Sequence, residues 1–322
     1  MKKMAKSAIL ALLCVFTLCQ SVSAAQLLVP GGQVIGLELG DNSVTVAAFD
    51  DTIGEKAKAA GLQVGDRITH IDAQAVSSVS DVRQALERSD GSVDVSVLRK
   101  GKEKDLKLTP QITGDGPRLG VYLKQGVTGV GTVTWYDPQS HKFGCLGHGV
   151  NAQDGELIRM NTGHAYRAAV LSVKKGKSGD PGQLLGSLCG AEPIGVLAKN
   201  TTQGVFGTVN QSFQGQALPV AGSDDIRTGP ATIRSTIQGD TVQEYSVEIL
   251  KIYPNAKSGG RNMLLRITDP ALLETTGGIV QGMSGSPIIQ DGKLVGAVTH
   301  VLVNSPDTGY GIFIENMLDA AS

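Results

Sequence analysis

The residues with the clearest chemical potential are a serine in a glycine-rich loop near the C-terminus and a small set of histidines. Ser284 lies in the segment GMSGSP at 282–287. Glycine adopts backbone conformations that other residues avoid, so N–H groups beside this hydroxyl can turn toward one point. The pattern predicts a nucleophilic serine whose oxyanion hole is formed by the N–H groups of Gly282 and Ser284.

A serine nucleophile needs a general base, because a free hydroxyl is barely ionised at neutral pH. The chain contains five histidines, at positions 70, 141, 148, 164 and 300. His148 lies between two glycines, directly after a hairpin predicted over 133–146, and from there its ring could reach another loop. We predict His148 as the base, with His164 as the alternative. His300 falls on a strand behind the serine loop, where packing or a role in specificity is expected.

Other chemistries have weaker support in the sequence. It has no HExxH motif and no paired CxxC motif, so we expect neither a metal nor a cofactor. Cys145 and Cys189 either pair or remain separate thiols, since spacing alone does not decide. The net charge of −1 gives no electrostatic reason to expect a nucleic-acid partner.

The elements that must position Ser284 are short strands. Hydrophobic residues make up 41% of the 322 residues and charged residues 18%, with 42 glycines, which favours a globular, mostly β chain. After the serine loop come a hairpin around Asp291-Gly292, a second strand pair ending at 310–313, and a short helix at 315–318. This order resembles the C-terminal half of chymotrypsin-like serine peptidases. The resemblance implies a double β-barrel peptidase domain over 119–322. Gly278 stands where trypsin-like enzymes place a carboxylate, so strong selection for Arg or Lys is not expected.

A second unit is predicted over 31–110, followed by a linker at 111–118. The stretch AGLQVGDRITHID at 60–72 resembles the bacterial PDZ domain. That resemblance implies a peptide groove between a strand at 35–39 and a helix at 81–87. The amides of Val34, Ile35, Gly36 and Leu37 would face a terminal carboxylate. A PDZ fold used only as a spacer is the alternative.

The N-terminus is predicted to direct export. Residues 1–24 combine three lysines, an apolar run of 12 residues at 8–19, and small residues after it. This is the pattern of a secretory signal peptide. An uncleaved anchor that holds the protein at a membrane is the alternative.

Taken together, the chain resembles the stage IV sporulation protein B family, the signalling serine peptidases of endospore-forming bacteria. The matching stretches include LLVPGGQVIGLEL, FGCLGHGV and DPALLETTGGIVQGMSGSP. The resemblance implies that His148, Asp269 and Ser284 form the catalytic triad, although Asp180 fits the commoner spacing of the acid.

The same resemblance implies a location between the two forespore membranes, or association with a membrane. It also implies self-cleavage and cleavage of an extracytoplasmic segment of a membrane-bound regulator of an intramembrane protease. The PDZ groove would hold that partner, the chain's own N-terminal region or its C-terminal tail. A general extracytoplasmic quality-control protease and a catalytically silent PDZ scaffold are the competing predictions.

Overall fold

The computed structural model describes residues 26–152, 155–256 and 260–322. The signal segment predicted for 1–24 lies outside these ranges. Strands dominate, and within the described ranges no helix is long and apolar enough to cross a membrane.

The described chain contains many short strands and a few short helices. The strands are β1 (Leu27–Pro30), β2 (Val34–Phe49), β3 (Arg67–Ile71), β4 (Gln74–Ala75), β5 (Val93–Arg99), β6 (Lys102–Leu108), β7 (Gln111–Thr113), β8 (Gly116–Arg118), β9 (Val121–Tyr136), β10 (Lys142–Cys145), β11 (Thr162–Lys174), β12 (Gln183–Leu188), β13 (Gly195–Thr201), β14 (Gly204–Val209), β15 (Leu218–Pro219), β16 (Gly229–Ser235), β17 (Gln243–Ile252), β18 (Met263–Ile267), β19 (Pro287–Gln290), β20 (Lys293–Leu302) and β21 (Ser305–Phe313). The helices are α1 (Glu55–Ala59), α2 (Val79–Arg88), α3 (Pro270–Thr276) and α4 (Ile314–Ala321).

Two closed antiparallel barrels form the larger part of the molecule. In the first, β9, β10, β14, β13, β11 and β2 pair in that order, and pairing between β2 and β9 closes the ring. In the second, β16, β17, β18, β21, β20 and β19 pair around the ring in the same way. Alternate side chains of each strand fill the interior, as a small barrel requires. Phe143 and Val133 are buried in the first barrel, and Leu265 and Ile288 in the second. The double-barrel prediction is confirmed.

The PDZ unit is inserted into a hairpin of the first barrel. β2 and β9 pair along almost their whole length, and the two ends of this long ribbon belong to different cores. Residues 34–39 pair with 127–132 inside the barrel. Residues 44–49 pair with 121–125 and pack with Ile68, Ile71 and Val95 in a separate core. The PDZ unit is therefore joined to the barrel by two continuous strands.

Helix α2 begins two residues earlier than the sequence pattern suggests. Its N-cap is Ser78, whose Oγ accepts a hydrogen bond from the Asp81 N–H at 3.0 Å. The sequence pattern places the start of the helix at 81, but residues 79 and 80 are already helical. The helix buries Val82, Ala85 and Leu86 against the sheet, so one apolar face fixes its position.

The peptide groove predicted along Val34, Ile35, Gly36 and Leu37 is wrong. These residues pair with β9 on one edge, and residues 35–37 also pair with β11 on the other. A strand with both edges paired has no free backbone groups to offer an added peptide. The first part of the predicted PDZ span thus belongs to the barrel, and the predicted linker forms the β7–β8 hairpin.

Candidate active site

The loop that carries Ser284 is tied to strand β9 of the first barrel. The Thr132 N–H donates to the Ser284 carbonyl at 3.1 Å, and the Thr132 Oγ1 donates to the Gly282 carbonyl at 2.7 Å. Thr134 Oγ1 donates to the Gly285 carbonyl at 2.8 Å. These three bonds cross from one barrel to the other, so the loop is held at their junction.

Two backbone N–H groups in this loop remain available. Gly282 adopts φ +99°, a conformation that favours glycine. Within the described ranges, neither the Gly282 N–H nor the Ser284 N–H donates to a protein acceptor. Buried backbone donors are nearly always paired in folded proteins. Two unpaired donors at the positions predicted for the oxyanion hole are therefore suited to an anionic oxygen.

The Ser284 hydroxyl is half-buried and donates to the Thr299 carbonyl oxygen at 2.8 Å. Thr299 lies on β20, the second strand after the serine loop. The hydroxyl must therefore leave this carbonyl before a base can accept its proton. Catalytic hydrogen bonds are often incomplete without substrate and form when it binds.

His148 lies on the turn that follows β10. Leu146 and Gly147 both adopt φ +69°, and these left-handed residues reverse the chain before the histidine. The His148 Nδ1 lies 2.9 Å from the Gly149 carbonyl oxygen, which can only accept, so Nδ1 carries the proton. Burial lowers the pKa of His148, with the Gly149 carbonyl opposing the shift. The neutral ring then has an unprotonated Nε2, as a general base requires.

His148 and Ser284 line the same cavity, of about 310 Å³, although they come from different barrels. Its remaining walls are largely apolar, with Gly282 and Gln281 at one side. The apolar side chains that line it are Leu37, Leu39, Val127, Val130, Leu146 and Val150. The structure thus brings together the predicted nucleophile, the predicted base and the predicted oxyanion residue Gly282 in one largely apolar cavity.

His300 packs beside the base. Its ring centroid lies 5.3 Å from that of His148, with 40° between the planes. Its Nδ1 is buried without a hydrogen-bond partner in the described chain. Burial, helped by the charges of His148 and Arg261, lowers the pKa of His300 to about 4. His300 is consequently neutral at neutral pH, and it contacts the base, a role that sequence reasoning did not assign.

The structure shows no hydrogen bond or ion pair between the predicted acid and His148. Asp269 is the N-cap of α3, where its Oδ1 accepts from the Leu272 N–H at 3.0 Å. Its Oδ2 accepts from the Ser246 N–H at 3.4 Å. The alternative acid, Asp180, forms an exposed ion pair with Lys174 at 2.9 Å. Across the described ranges, no carboxylate forms a hydrogen bond or ion pair with His148.

The remaining candidates lie elsewhere. His164, the alternative base, is on β11, and its Nδ1 lies 3.9 Å from the Glu38 carboxylate. Cys145 and Cys189 are separate thiols, one buried and one exposed, and burial raises the pKa of Cys145. In the part of the chain that the structure describes, no group of three His, Cys, Asp or Glu residues is arranged to hold a metal ion.

A second cavity, of about 160 Å³, separates helix α2 from the start of β9. Val82 and Leu86 line it from the helix, and Leu119, Val121 and Leu123 line it from the strand. This is a groove of the PDZ unit that sequence reasoning missed. The apolar alternation at 119, 121 and 123, directly after the β7–β8 hairpin, is the signal that could have located the strand.

Comparison with known proteins gives local and family-level matches. A family model described as a PDZ domain matches residues 53–99. The mitochondrial serine protease HTRA2 of Drosophila erecta is 36% identical over 59 residues, which is 18% of this chain and 14% of that protein. A putative zinc metalloprotease of Rhizobium meliloti (strain 1021) is 31% identical over 100 residues, 31% of this chain and 26% of that protein. The chain therefore spans about a quarter or less of the length of these two relatives.

Among solved structures, the active form of the Rv3671c protease from M. tuberculosis aligns with a TM-score of 0.38 and 15% identity. That alignment covers 61% of this chain and 73% of that one. The family model for the SpoIVB peptidase S55 matches residues 116–318, well over half of the chain. The chain belongs to the SpoIVB peptidase S55 family.

Proposed function

We propose that this chain is a serine endopeptidase that cleaves peptide bonds through an acyl-enzyme on Ser284. The observation that carries the proposal is the convergence of Ser284 and His148, from separate barrels, on one cavity. Two unpaired N–H groups in the serine loop add the donors that a tetrahedral intermediate needs.

In the proposed reaction, the Ser284 hydroxyl turns from the Thr299 carbonyl toward His148. Its oxygen attacks the scissile carbonyl carbon while His148 Nε2 takes the proton. The developing oxyanion accepts from the N–H groups of Gly282 and Ser284, and removing one such donor typically costs about 10²–10³ in rate. His148 then protonates the leaving amine, and a water molecule, deprotonated by the same ring, releases the acyl group from Ser284.

The tautomer of His148 is fixed in this proposal by the carbonyl of Gly149, which accepts from Nδ1 at 2.9 Å. The neutral ring of His300 packs beside the base and leaves room for the imidazolium without adding a second positive charge. The family resemblance implies that Asp269 is the acid of the triad. No contact with His148 supports that role, since this carboxylate caps α3.

At the level of biology, we propose a role in sporulation signalling. The peptidase would cleave itself and then an extracytoplasmic segment of a membrane-bound regulator, releasing an intramembrane protease that activates a sigma factor. Family membership and the PDZ unit support this role. The export pattern at 1–24 supports a location between the two forespore membranes, free or anchored at one of them.

Labelling with a fluorophosphonate probe tests the enzyme proposal. We expect covalent labelling that is lost in Ser284→Ala and slowed at least tenfold in His148→Ala. Ser286→Ala is the matched control, because Ser286 lies in the same loop but is buried and hydrogen-bonded to Ser235 at 3.1 Å. Absence of labelling in the folded parent protein would support the silent-scaffold alternative. Equal cleavage of unfolded casein and of the regulator's extracytoplasmic segment would support general quality control.

A further inference from the structure

One strand, β9, contributes to both the candidate active site and the PDZ groove. Near its C-terminal end, the Thr132 N–H holds the serine loop through the Ser284 carbonyl. At its N-terminal end, Val121 and Leu123 face α2 across the groove. The residues of β9 between Thr132 and Val121 therefore set the distance from Ser284 to the PDZ groove for any peptide bound along this strand.

One edge of β9 is free between the two sites. β2 pairs along residues 121–132 of one edge. On the opposite edge, β10 pairs only with residues 133–136. Within the described chain, no strand pairs with that second edge over 121–131. An unpaired edge presents N–H and C=O groups that can accept an added strand.

Both ends of this free edge lie beside apolar cavities. Val127 and Val130 line the cavity that contains Ser284 and His148. The groove at the other end is apolar at its base, and its rim carries Arg83 and an ion pair between Arg118 and Asp115 at 2.8 Å. This arrangement suits a peptide with apolar side chains and a negatively charged end.

We propose that the C-terminal segment of a protein substrate binds antiparallel along the free edge of β9, from Ser284 to the groove beside α2. The inference rests on the proposed peptidase function and adds the substrate class: proteins with an apolar C-terminal residue and a free carboxylate. The residues after the scissile bond lie along β9, and the terminal carboxylate lies near Gly120 and Arg83.

Chain direction agrees at both ends. β9 runs from the groove toward Ser284, so an antiparallel peptide runs from Ser284 toward the groove. PDZ domains accept C-terminal peptides as an added strand, which places the free end beside the first residues of the domain's strand. Gly120, at φ +76°, turns the chain just before β9 begins. The leaving side of the substrate therefore points toward the groove without reversing direction.

The strand also sets the length of the bound segment. From Val121 to Thr132 the strand has 12 residues, and the 11 steps between them span about 37 Å at about 3.4 Å per step. The ribbon is irregular where the pairing moves from Leu39–Val127 to Val44–Gln125, because residues 40–43 of β2 lie opposite Gly126 alone. An antiparallel partner needs about one residue per strand residue, so cleavage is expected about ten residues before the carboxyl terminus.

Peptides of different lengths test this register. Internally quenched peptides would share one cleavage site and an apolar C-terminal residue, with about 4, 7, 10, 13 or 20 residues after the scissile bond, each as a free acid and as an amide. We expect kcat/KM to be highest near ten residues and at least tenfold lower for the shortest peptide. The amide of the ten-residue peptide should also lose at least fivefold. Rates that depend on neither length nor the terminal carboxylate would overturn the proposal.

A pair of charge reversals on α2 locates the effect. Arg83→Glu, at the groove rim, should remove most of the advantage of the ten-residue acid and leave the shortest peptide unaffected. Arg88→Glu is the matched control, since this exposed arginine lies on the same helix outside the groove and should keep the length profile. Equal profiles for both variants would refute a carboxylate at the groove. Failure of the underlying peptidase function looks different, because no peptide would be cleaved and no probe would label Ser284.

Discussion

Replacing Gly285 with alanine should disrupt the serine loop far more than an ordinary glycine substitution would. Gly285 adopts φ +97°, and a Cβ built there would lie 2.1 Å from the Thr132 carbonyl oxygen and 2.5 Å from the Leu146 nitrogen. Both atoms belong to the backbone of the first barrel, so neither can rotate away. The loop itself must move instead.

The expected loss of stability has two parts. A left-handed conformation costs a non-glycine residue about 1–2 kcal/mol. Moving the loop off Thr132 also strains or breaks buried hydrogen bonds, including that from Thr134 Oγ1 to the Gly285 carbonyl, and each unsatisfied buried group costs about 1–3 kcal/mol. We therefore expect Gly285→Ala to lose about 3–4 kcal/mol in free energy of unfolding.

Gly292→Ala is the matched control. Gly292 also has a positive φ, +73°, but a Cβ there meets nothing within 4 Å. It should lose only about 1–2 kcal/mol, the cost of the backbone conformation. Urea denaturation of both variants measures the difference, and probe labelling at low temperature reports the loop. Equal losses for the two variants, or full labelling of Gly285→Ala, would show that the loop is not held against the first barrel as described.

Three further substitutions test other parts of the structure. Asp269→Ala should lose about 1 kcal/mol in free energy of unfolding, because α3 loses its N-cap. Asp269→Asn, an equally good cap, should keep the stability of the parent protein and a kcat/KM within about tenfold of it. A loss of about 10⁴ in kcat for Asp269→Asn would instead show that Asp269 is the acid of the triad. In the folded protein the pKa of His300 is about 4, below its usual 6.5, so the unfolded chain takes up the proton first as pH falls, and the free energy of unfolding should decrease between pH 6.5 and 4. His300→Gln should flatten the plot of urea midpoint against pH over this range. An unchanged slope would contradict the burial of His300. Asp66→Ala should destabilise the PDZ unit by about 3–5 kcal/mol, because Asp66 is buried and accepts two hydrogen bonds of 2.6 Å from Arg99. A loss below about 1 kcal/mol in thermal unfolding would show that this ion pair does not stabilise the unit.

The sequence was sufficient to single out Ser284 and His148, which line one cavity in the structure, because their signals are local. Ser284 and His148 each lie between residues that allow sharp turns, and such turns expose a side chain whatever the rest of the fold does. The two-barrel architecture was implied by the resemblance of the strands and hairpins after the serine loop to chymotrypsin-like peptidases. Asp269 shows the limit of this reasoning. A spacing of 15 residues from the serine does not tell whether a carboxylate faces an imidazole or caps the next helix, and Asp-Pro is itself a helix-start signal.

The groove was misplaced because two halves of one strand belong to two cores. The apolar run at 34–39 reads as an edge strand of a PDZ unit, but edge or interior position depends on pairing partners about 90 and 130 residues away. His300 was underrated for a similar reason. The sequence places His300 on a strand behind the serine loop, but it does not show that this ring packs against His148, 152 positions earlier, because that contact forms only when the two barrels pack together.

Insertion of the PDZ unit into a barrel hairpin has a mechanical consequence. A domain attached through a flexible linker would raise the local concentration of substrate without fixing where it is cut. Here the connection is a paired two-stranded ribbon, and its one free edge leads from the groove to Thr132, which holds the serine loop by two hydrogen bonds. A peptide added to that edge would pair with the strand on which the serine loop rests. Binding at the PDZ groove would then set the cleavage position through the same backbone contacts.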